Sequence, residues 1–341
     1  MSNIAFGVFS CTLCWFTCST YWLKISNTSC LLIDDTPFCL FVSALPTGSS
    51  RLIRDSFIVM SDYDPEKVEV RAAATVMLID DRPDLQIYMM ERHANTIFAG
   101  GMWVFPGGSV DATDDSSEFQ AISIHRSDEE ASELMGLASG GLAYYVAAIR
   151  EAFEEAGILL ALQQDSHLPL DLSTPEIEKR FSQHRDDIND SNRNFMEIIR
   201  DENLILDAGV MHYIARWVTP KGPPRRFDAR FFIAKMPTNQ TPIHDNGELV
   251  HSEWLSPKKI LEEAEAGNMV LMSPTLRMIQ NLAMFDSAEQ VIESVKVNQT
   301  DEIARVTRDT RMVVMPGEPG YEDGLDDVES GWVRLRPLDK N

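Results

Sequence analysis

The pattern of apolar and polar residues first becomes regular near residue 68. The stretch VEVRAAATVMLI (68–79) is rich in β-branched residues and ends at a DDRP turn, and LQIYMMERH (85–93) follows directly. Branched and aromatic side chains favour extended backbone, whereas Asp and Pro favour turns. The pattern therefore predicts a β-hairpin. The stretch MWVFPGG (102–108) predicts another short strand, which ends at a proline and two glycines.

A helical period replaces the strand pattern at GGLAYYVAAIREAFEEAGILLAL (140–162). Tyr145, Ala148, Ala152 and Leu159 recur at intervals near 3.6 residues, as expected on one face of a helix. Two later stretches, LSPKKILEEAEAG and SPTLRMIQNLAMF, begin with Ser-Pro, which is a common helix start. All three stretches are predicted to be helices.

Strands and helices are mixed along the rest of the chain. Residues 207–220 and 225–237 are predicted to form paired strands around a KGPP turn. Residues 174–202 predict one or two polar helices. Residues 111–140 are acidic and contain two glycines, and they predict a loop with a helical piece. This mixture indicates the α/β class.

The same patterns divide the chain into three parts. Residues 1–59 form an atypical N-terminal extension. Residues 60–297 form the main domain, with an insertion at about 115–145 and a helical segment at about 174–202. Residues 298–341 mix charge with Pro and Gly, and we expect an extended or partly disordered tail.

The first 59 residues carry few charges and all five cysteines: Cys11, Cys14, Cys18, Cys30 and Cys39. A signal peptide or membrane anchor is one interpretation, although the basic start is missing and the apolar stretch is broken. A zinc site is another, although the second ligand pair is missing. An over-extended gene start before a true initiator at Met60 is the third, and a disordered extension is the fourth. We favour Met60, which the intact mass of the native protein would test.

Charge and cysteine content limit the function. The net charge of −23 argues against general nucleic-acid binding, because affinity for phosphates needs a basic surface. An anionic small substrate would need a metal ion or a local basic patch. The residues after Cys39 contain no cysteine, which suits a reducing compartment. The chain ends RPLDKN rather than in a Ser-Lys-Leu type signal, so we expect a cytoplasmic protein without stable membrane association. The oligomeric state stays open.

Three glutamates in the predicted helix at 140–162 are the clearest candidate for chemistry. Glu151, Glu154 and Glu155 fall within roughly one 100° arc of the helix. A solvated acidic face would tolerate the repulsion, which costs only a few tenths of a kcal/mol per pair. A metal site is the alternative, because Mg²⁺ is bound by carboxylates together with substrate phosphates. The glycine pair at 107–108, which can bring backbone close to a ligand, favours the metal site.

Two segments resemble the two halves of the Nudix box. The family pattern is Gly, five residues, Glu, seven residues, then Arg-Glu-aliphatic-any-Glu-Glu-any-Gly-aliphatic. REAFEEAGI (150–158) fits the second half at every fixed position. GGSVDATD (107–114) resembles the first half, but Asp114 replaces the glutamate and 35 residues separate it from Arg150. An interrupted box is a feature of the coenzyme A diphosphatase subgroup (Nudix motif 19), which RHANTIFAGGMWVFPGGSVD, PPRRFDARFFIA and DNGELVHSEWLSP also resemble.

The resemblance implies a Nudix α/β/α sandwich with a mixed β-sheet and additional C-terminal helices. It also implies hydrolysis of a diphosphate bond with Mg²⁺ or Mn²⁺. Glu154 and Glu155 would bind the metal, with Glu151 as a further ligand or a water-orienting base. The Gly107 carbonyl would complete the ligand set, and Arg150 would pair with a box glutamate rather than touch substrate.

Further candidates lie outside the box. Many Nudix enzymes add a distal glutamate, for which Glu248 and Glu253 are candidates. We prefer Glu248 because the Asn-Gly turn before it gives its loop freedom; a solvated surface role is the alternative for each. The substrate-binding candidates are the basic residues of the body and the second box glycine: Arg92, Gly108, Arg225, Arg226 and Arg230. Arginine binds phosphate through its planar fork, although ordinary salt bridges on a strand pair are equally compatible.

Three functions remain open from the sequence. The first is hydrolysis of coenzyme A or acyl-CoA to 3′,5′-ADP and a 4′-phosphopantetheine. The second is hydrolysis of ADP-ribose, NADH or a related nucleotide. The third is a Nudix-fold binding protein that has lost catalysis, which Asp114 supports and the three retained glutamates oppose.

Overall fold

A computed structural model describes residues 64, 67–96, 99–244, 249–298, 300–308, 312–325 and 331–338. These residues lie within the unit Asp62–Asn341. The extension at 1–59 and the proposed initiator Met60 lie outside the described residues.

The strands form where branched and aromatic residues cluster. In chain order they are β1 (Val70–Asp81), β2 (Leu85–Arg92), β3 (Trp103–Val104), β4 (Gly107–Ser109), β5 (Ser123–Ile124), β6 (Ala161–Gln163), β7 (Leu204–Asp207), β8 (His212–Val218), β9 (Arg226–Lys235), β10 (Leu249–Leu255), β11 (Glu302–Ile303), β12 (Arg305–Val306), β13 (Val313–Val314) and β14 (Trp332–Val333).

The helices lie singly or in groups between these strands. They are α1 (Ser117–Ile122), α2 (Asp128–Met135), α3 (Gly141–Ala156), α4 (Pro175–Asn189), α5 (Phe195–Asp201), α6 (Pro257–Glu265), α7 (Ser273–Leu282) and α8 (Ala288–Val297).

Nine of the described strands form one sheet, in the order β10-β2-β1-β9-β8-β14-β11, with β3 beside β2 and β4 beside β1. The β1–β9 pair is parallel and the other pairs are antiparallel, so the sheet is mixed. The predicted hairpin is confirmed as β1–β2, and the predicted strand pair as β8–β9. Because β1 is long, its end pairs with β2 and its middle pairs with β4.

Side chains of β1 alternate between two buried faces of the sheet. Ala74, Val76 and Leu78 join the apolar cluster that contains α3, whereas Met77 and Ile79 join the cluster that contains α7 and α8. Residues 76–79 of this central strand are therefore all apolar and buried, as expected when helices cover both sides. This arrangement is the expected α/β/α sandwich with a mixed sheet and additional C-terminal helices.

Helix α3 is the central element of one layer. Twelve of its sixteen residues are buried, including Tyr145, Ala148 and Ala152 from the predicted face. Its small alanines let it lie close to the sheet. Gly157 ends the helix in the left-handed conformation, with φ of 70°, as glycine does most easily.

The insertion before α3 is more ordered than a loop with one helical piece. It contains α1, β5 and α2, and β5 pairs with β7 in a separate three-stranded sheet. The Asp128 carboxylate accepts hydrogen bonds from the Gly140 and Leu142 amides, at 3.0 and 2.9 Å. A Cβ atom on Gly141 would lie 2.5 Å from the Ala131 carbonyl carbon, so α2 and α3 approach closely. The insertion therefore holds the start of α3.

The segment at 174–202 forms α4 and α5, and the two predicted Ser-Pro helices are confirmed as α6 and α7. The described residues of the tail contribute short strands, of which β14 pairs with β8 and β11 with β14. Across the described ranges, the structure contains no helix that combines the length and apolarity needed to span a bilayer.

Candidate active site

Two glycines bring β4 against both β1 and α3. A Cβ atom on Gly107 would lie 2.6 Å from the Ala74 carbonyl oxygen. A Cβ atom on Gly108 would lie 2.6 Å from Cδ and 2.7 Å from Oε2 of Glu151. At Gly107 the neighbour is backbone, so this position requires the absence of a side chain. At Gly108 the neighbour is the end of the Glu151 side chain, which an added side chain would displace. The Gly107 amide also donates to Oε2 of Glu155 at 2.9 Å.

Arg150 joins the two halves of the interrupted box. Its Nε and Nη2 donate to the two carboxylate oxygens of Asp114, at 3.1 and 3.0 Å, and Nη2 also donates to the Ser109 carbonyl at 2.9 Å. Its Nη1 donates to Glu151 at 2.8 Å and to Glu154 at 3.2 Å. Asp114 is only 2% exposed. The 35-residue interruption therefore leaves the box assembled, with the shorter aspartate reaching the arginine through two bonds.

The three box glutamates are largely buried around this arginine. Their side chains are 13%, 20% and 14% exposed for Glu151, Glu154 and Glu155. Arg92 lies beside the last of them, with Nη1 at 3.8 Å from Oε1 of Glu155. The structure therefore brings Arg92 to the same group of carboxylates, at its β2 side.

Burial dominates the electrostatics of the site. It raises the pKa of Glu154 to about 7, against the opposing effect of Arg150, and the neighbouring Glu151 raises it further. Burial likewise raises the pKa of Glu151 and of Asp114, although Arg150 contacts both. For Arg150, burial lowers the pKa, but the hydrogen bond that it donates to Asp114 and the charge of Glu151 outweigh this effect and raise the pKa. The carboxylates of Asp114 and the three box glutamates thus lie beside two arginines in a largely buried site.

The chemistry of this group fits a hard divalent cation. Carboxylate oxygens are the ligands that Mg²⁺ and Mn²⁺ prefer, and a cation would offset the surplus negative charge. Within the ranges that the structure describes, no three His, Cys, Asp or Glu side chains are already gathered around one metal position. Arg150 Nη1 instead bonds both Glu151 and Glu154, and the Gly107 amide holds Glu155. Binding of a cation therefore requires these side chains to exchange partners.

The basic residues of β9 separate into two places. Arg225 is exposed, and Arg226 is buried, with Nε donating to the Thr219 carbonyl at 3.0 Å. Arg226 pairs in register with Val70, at the start of β1. Arg230 lies four residues further along β9, which is about 13 Å in a strand.

By the pairing of the strands, Arg230 lies nearer the box than Arg225 and Arg226 do. It pairs with Ala74, which pairs with Gly108 on its other side. Its Nη1 donates to the Tyr213 hydroxyl at 2.9 Å, and its guanidinium lies 4.7 Å from the Tyr144 ring centre. Arg230 is only 2% exposed, so protein groups already surround it.

Of the two candidates for the distal glutamate, the structure describes Glu253 but not Glu248. Glu248 lies outside the described residues. Glu253 lies on β10 opposite Met89, which belongs to the apolar cluster under α7 and α8. Directly opposed residues of an antiparallel pair share a face of the sheet. Glu253 therefore lies on the face away from α3, where it is exposed near His251 at 3.6 Å.

Sequence analysis missed one buried residue next to the site, Arg185 on α4. Its guanidinium contacts the carbonyls of Glu154 and Glu155. The available signal was its spacing from Phe181: the two lie four residues apart on an otherwise polar helix, and both are buried.

Comparisons with known proteins show what the chain is similar to. The family model described as the NUDT19 Nudix domain matches residues 123–282. The human protein named acyl-coenzyme A diphosphatase NUDT19 is 24% identical over 280 residues, which cover 72% of this chain and 74% of that protein. The Gallus gallus protein of the same name is 26% identical over 264 residues, which cover 64% of this chain and 69% of that protein.

A solved structure shows the same fold. The NUDIX hydrolase from Alicyclobacillus acidocaldarius superposes with a TM-score of 0.54 and 24% identity, covering 67% of this chain and 98% of that one. The fold, the box and the family model together support a Nudix hydrolase. The family model and the named relatives support the NUDT19 subgroup in particular. Nudix hydrolases generally use divalent metal ions.

Proposed function

We propose that the chain hydrolyses the diphosphate bond of coenzyme A or an acyl-CoA, giving 3′,5′-ADP and the corresponding 4′-phosphopantetheine. The observation that carries the proposal is the assembled box, in which Arg150 links Asp114 to two of three buried glutamates despite the interruption. The names of the similar vertebrate proteins support this substrate class.

The box carboxylates supply the metal ligands in this proposal. Glu154 and Glu155 hold Mg²⁺ or Mn²⁺, with the Gly107 carbonyl and Glu248 as further ligands. A bound divalent cation supplies charge neutralisation and Lewis acidity at a phosphoryl oxygen. Glu151 serves as another ligand or orients the attacking water and accepts its proton. Arg150 keeps these carboxylates in place through Asp114 and the Ser109 carbonyl.

The substrate phosphates lie next to the box glycines in the proposal. Gly108 leaves room for the Glu151 carboxylate, which would lie beside the phosphates, and Arg92, beside Glu155, offsets negative charge. Arg230 contributes positive charge, because it pairs with Ala74, the β1 residue that also pairs with Gly108. Arg225 and Arg226 lie at the other end of β9, and they would contact only a remote part of a long substrate. Water adds across the diphosphate: one phosphorus gains the hydroxyl oxygen, and the other phosphate leaves with the bridging oxygen.

The residues after Cys39 contain no cysteine, which supports a reducing compartment, and we propose the cytoplasm.

The substrate is tested by incubating the full chain with Mg²⁺ or Mn²⁺ and coenzyme A, acyl-CoAs, ADP-ribose, NADH or diadenosine polyphosphates. The proposal predicts the highest kcat/KM for coenzyme A or an acyl-CoA, with 3′,5′-ADP as a product. A higher kcat/KM for ADP-ribose or NADH would contradict the substrate assignment. No hydrolysis of any compound would instead support a binding protein.

A further inference from the structure

Helix α4 places a buried arginine at the end of the box helix. α4 is polar and mostly exposed, and its buried residues are Phe181 and Arg185. Arg185 is only 8% exposed. A cation is retained in such a place only when acceptors surround it, because burial without them is costly.

The acceptors of Arg185 are backbone carbonyls. Its Nε donates to the carbonyl of Glu154 at 2.8 Å, and its Nη2 to the carbonyl of Glu155 at 2.6 Å. Its Nη1 donates to the carbonyl of Ile243 at 2.6 Å. One rigid guanidinium thus joins two residues proposed as metal ligands to the chain segment that precedes β10.

The end of α3 explains why these carbonyls need donors. The last four carbonyls of a helix lack partners within it, and a glycine turn satisfies only some of them. Here the Gly157 amide donates to the Phe153 carbonyl at 2.9 Å, and the Ile158 amide to the Ala152 carbonyl at 3.1 Å.

The remaining carbonyls are satisfied from outside the helix. The Ile243 amide donates to the Ala156 carbonyl at 3.0 Å, and Arg185 takes the carbonyls of Glu154 and Glu155. The positive charge also complements the negative end of the helix dipole. The backbone of the last turn is therefore fixed by donors from outside the helix.

We propose that Arg185 is a positioning residue for the metal site, because it fixes the backbone from which Glu154 and Glu155 extend. The inference rests on the proposed function in assuming that these two carboxylates hold the cation. The bonds that carry the proposal join Arg185 to the Glu154 and Glu155 carbonyls, so the effect that they predict passes through the backbone.

The test compares Arg185→Gln, Arg185→Lys and a control, Arg180→Gln. Arg180 lies on the same helix, is half exposed and pairs with Glu202 instead, at 2.8 and 2.9 Å. Mn²⁺ binding to each metal-free full chain is measured from the paramagnetic resonance signal of free Mn²⁺. Turnover on the best substrate and thermal unfolding are measured in parallel.

The inference predicts a Kd for Mn²⁺ about tenfold weaker in Arg185→Gln, as is typical when support behind a metal ligand is removed. It also predicts a fall in kcat with KM within about twofold. Arg185→Lys should lie between Arg185→Gln and wild type, because lysine keeps the charge but not the three-way fork. Arg180→Gln should match wild type.

An unchanged Mn²⁺ Kd in Arg185→Gln would overturn the inference, even if the variant melts earlier, because a purely structural role predicts only the earlier melting. If Arg185→Gln fails to fold, the Mn²⁺ Kd of Arg185→Lys decides, and a wild-type value overturns the inference. A wild-type chain that binds Mn²⁺ but hydrolyses nothing would refute the proposed function alone. A wild-type chain that does not bind Mn²⁺ would refute both.

Discussion

Replacing Gly108 by alanine should remove activity while the protein stays folded. Gly108 lies in strand β4, where its backbone is one that alanine can adopt. The added methyl would lie 2.6 Å from Cδ of Glu151, whereas ordinary contacts begin at 3.4 Å. The carboxylate of Glu151 must therefore move by about 0.8 Å, and it is already held by Arg150.

A shift of about 1 Å in a catalytic group can cost on the order of 10²-fold in rate. Overpacking of this kind destabilises by about 1–3 kcal/mol, and the preference of a strand for alanine over glycine recovers about 0.5–1 kcal/mol. We therefore expect kcat to fall about a hundredfold, while the loss of stability stays within about 2 kcal/mol. Steady-state kinetics on the best substrate and urea unfolding measure the two effects separately.

The matched control is Ser109→Ala, which removes an oxygen from the next residue of β4 and adds no atom. The Ser109 carbonyl, which accepts a hydrogen bond from Arg150, stays in place. We expect a kcat within about twofold of wild type in the control. If Gly108→Ala retained wild-type kcat, the placement of Glu151 against this glycine would have no role in the reaction, and the reasoning above would be refuted.

Three further predictions follow from burial and hydrogen bonding. Glu154→Gln should lower kcat by orders of magnitude. Because burial raises the pKa of Glu154 to about 7, the charged glutamate destabilises the metal-free fold. In chelator, the variant should therefore melt later than wild type, by a margin that grows from pH 4.5 to pH 8 in scanning fluorimetry. Gln240→Ala should lower the free energy of unfolding by about 3 kcal/mol in urea, because Gln240 bonds the Leu159 amide and the Leu159 and Leu170 carbonyls; an unchanged midpoint would contradict this. Burial lowers the pKa of His212 to about 4, so the native protein binds fewer protons than the unfolded chain and loses stability as pH falls from 6.5 to 4. His212→Gln should flatten that loss. An equal slope of unfolding free energy against pH in the variant and the wild type would count against this prediction.

Local pattern predicted most of the elements, because burial on one face repeats with the period of the element. The 3.6-residue recurrence of Tyr145, Ala148 and Ala152 predicted α3, and all three residues are buried. The branched residues of 68–79 predicted β1, and the turn after them predicted its hairpin with β2. Each signal lies within about twenty residues of chain, where the sequence order still determines the neighbours.

Pairings between distant parts of the chain were not predictable in the same way. The parallel register of β1 with β9 joins residues more than 150 positions apart. The order of the insertion depends on Gly141 packing against Ala131 and on Asp128 bonding the start of α3. No local period records such contacts, which depend on where the folded sheet brings the segments together.

The candidate site shows the same division. The box residues were recognisable by type and spacing, whereas the two bonds that join Asp114 to Arg150 across 35 residues appear only in the fold. Arg185 belongs to a helix whose composition is typical of an exposed surface, and its role depends on three carbonyls from two other segments. The pairing of Glu253 with Met89 places it on the face of the sheet away from α3. The sequence alone did not show this separation from the box.

Product analysis of coenzyme A cleavage tests the central claim most directly. The full chain is incubated with coenzyme A and Mn²⁺, beside Glu154→Gln and a sample with excess chelator, and the products are identified by liquid chromatography and mass spectrometry. We predict equal amounts of 3′,5′-ADP and 4′-phosphopantetheine from the wild type, and neither product from the variant or the chelated sample. Intact coenzyme A in the wild-type sample, or product formation that survives loss of the metal or of Glu154, would contradict a metal-dependent reaction at these carboxylates.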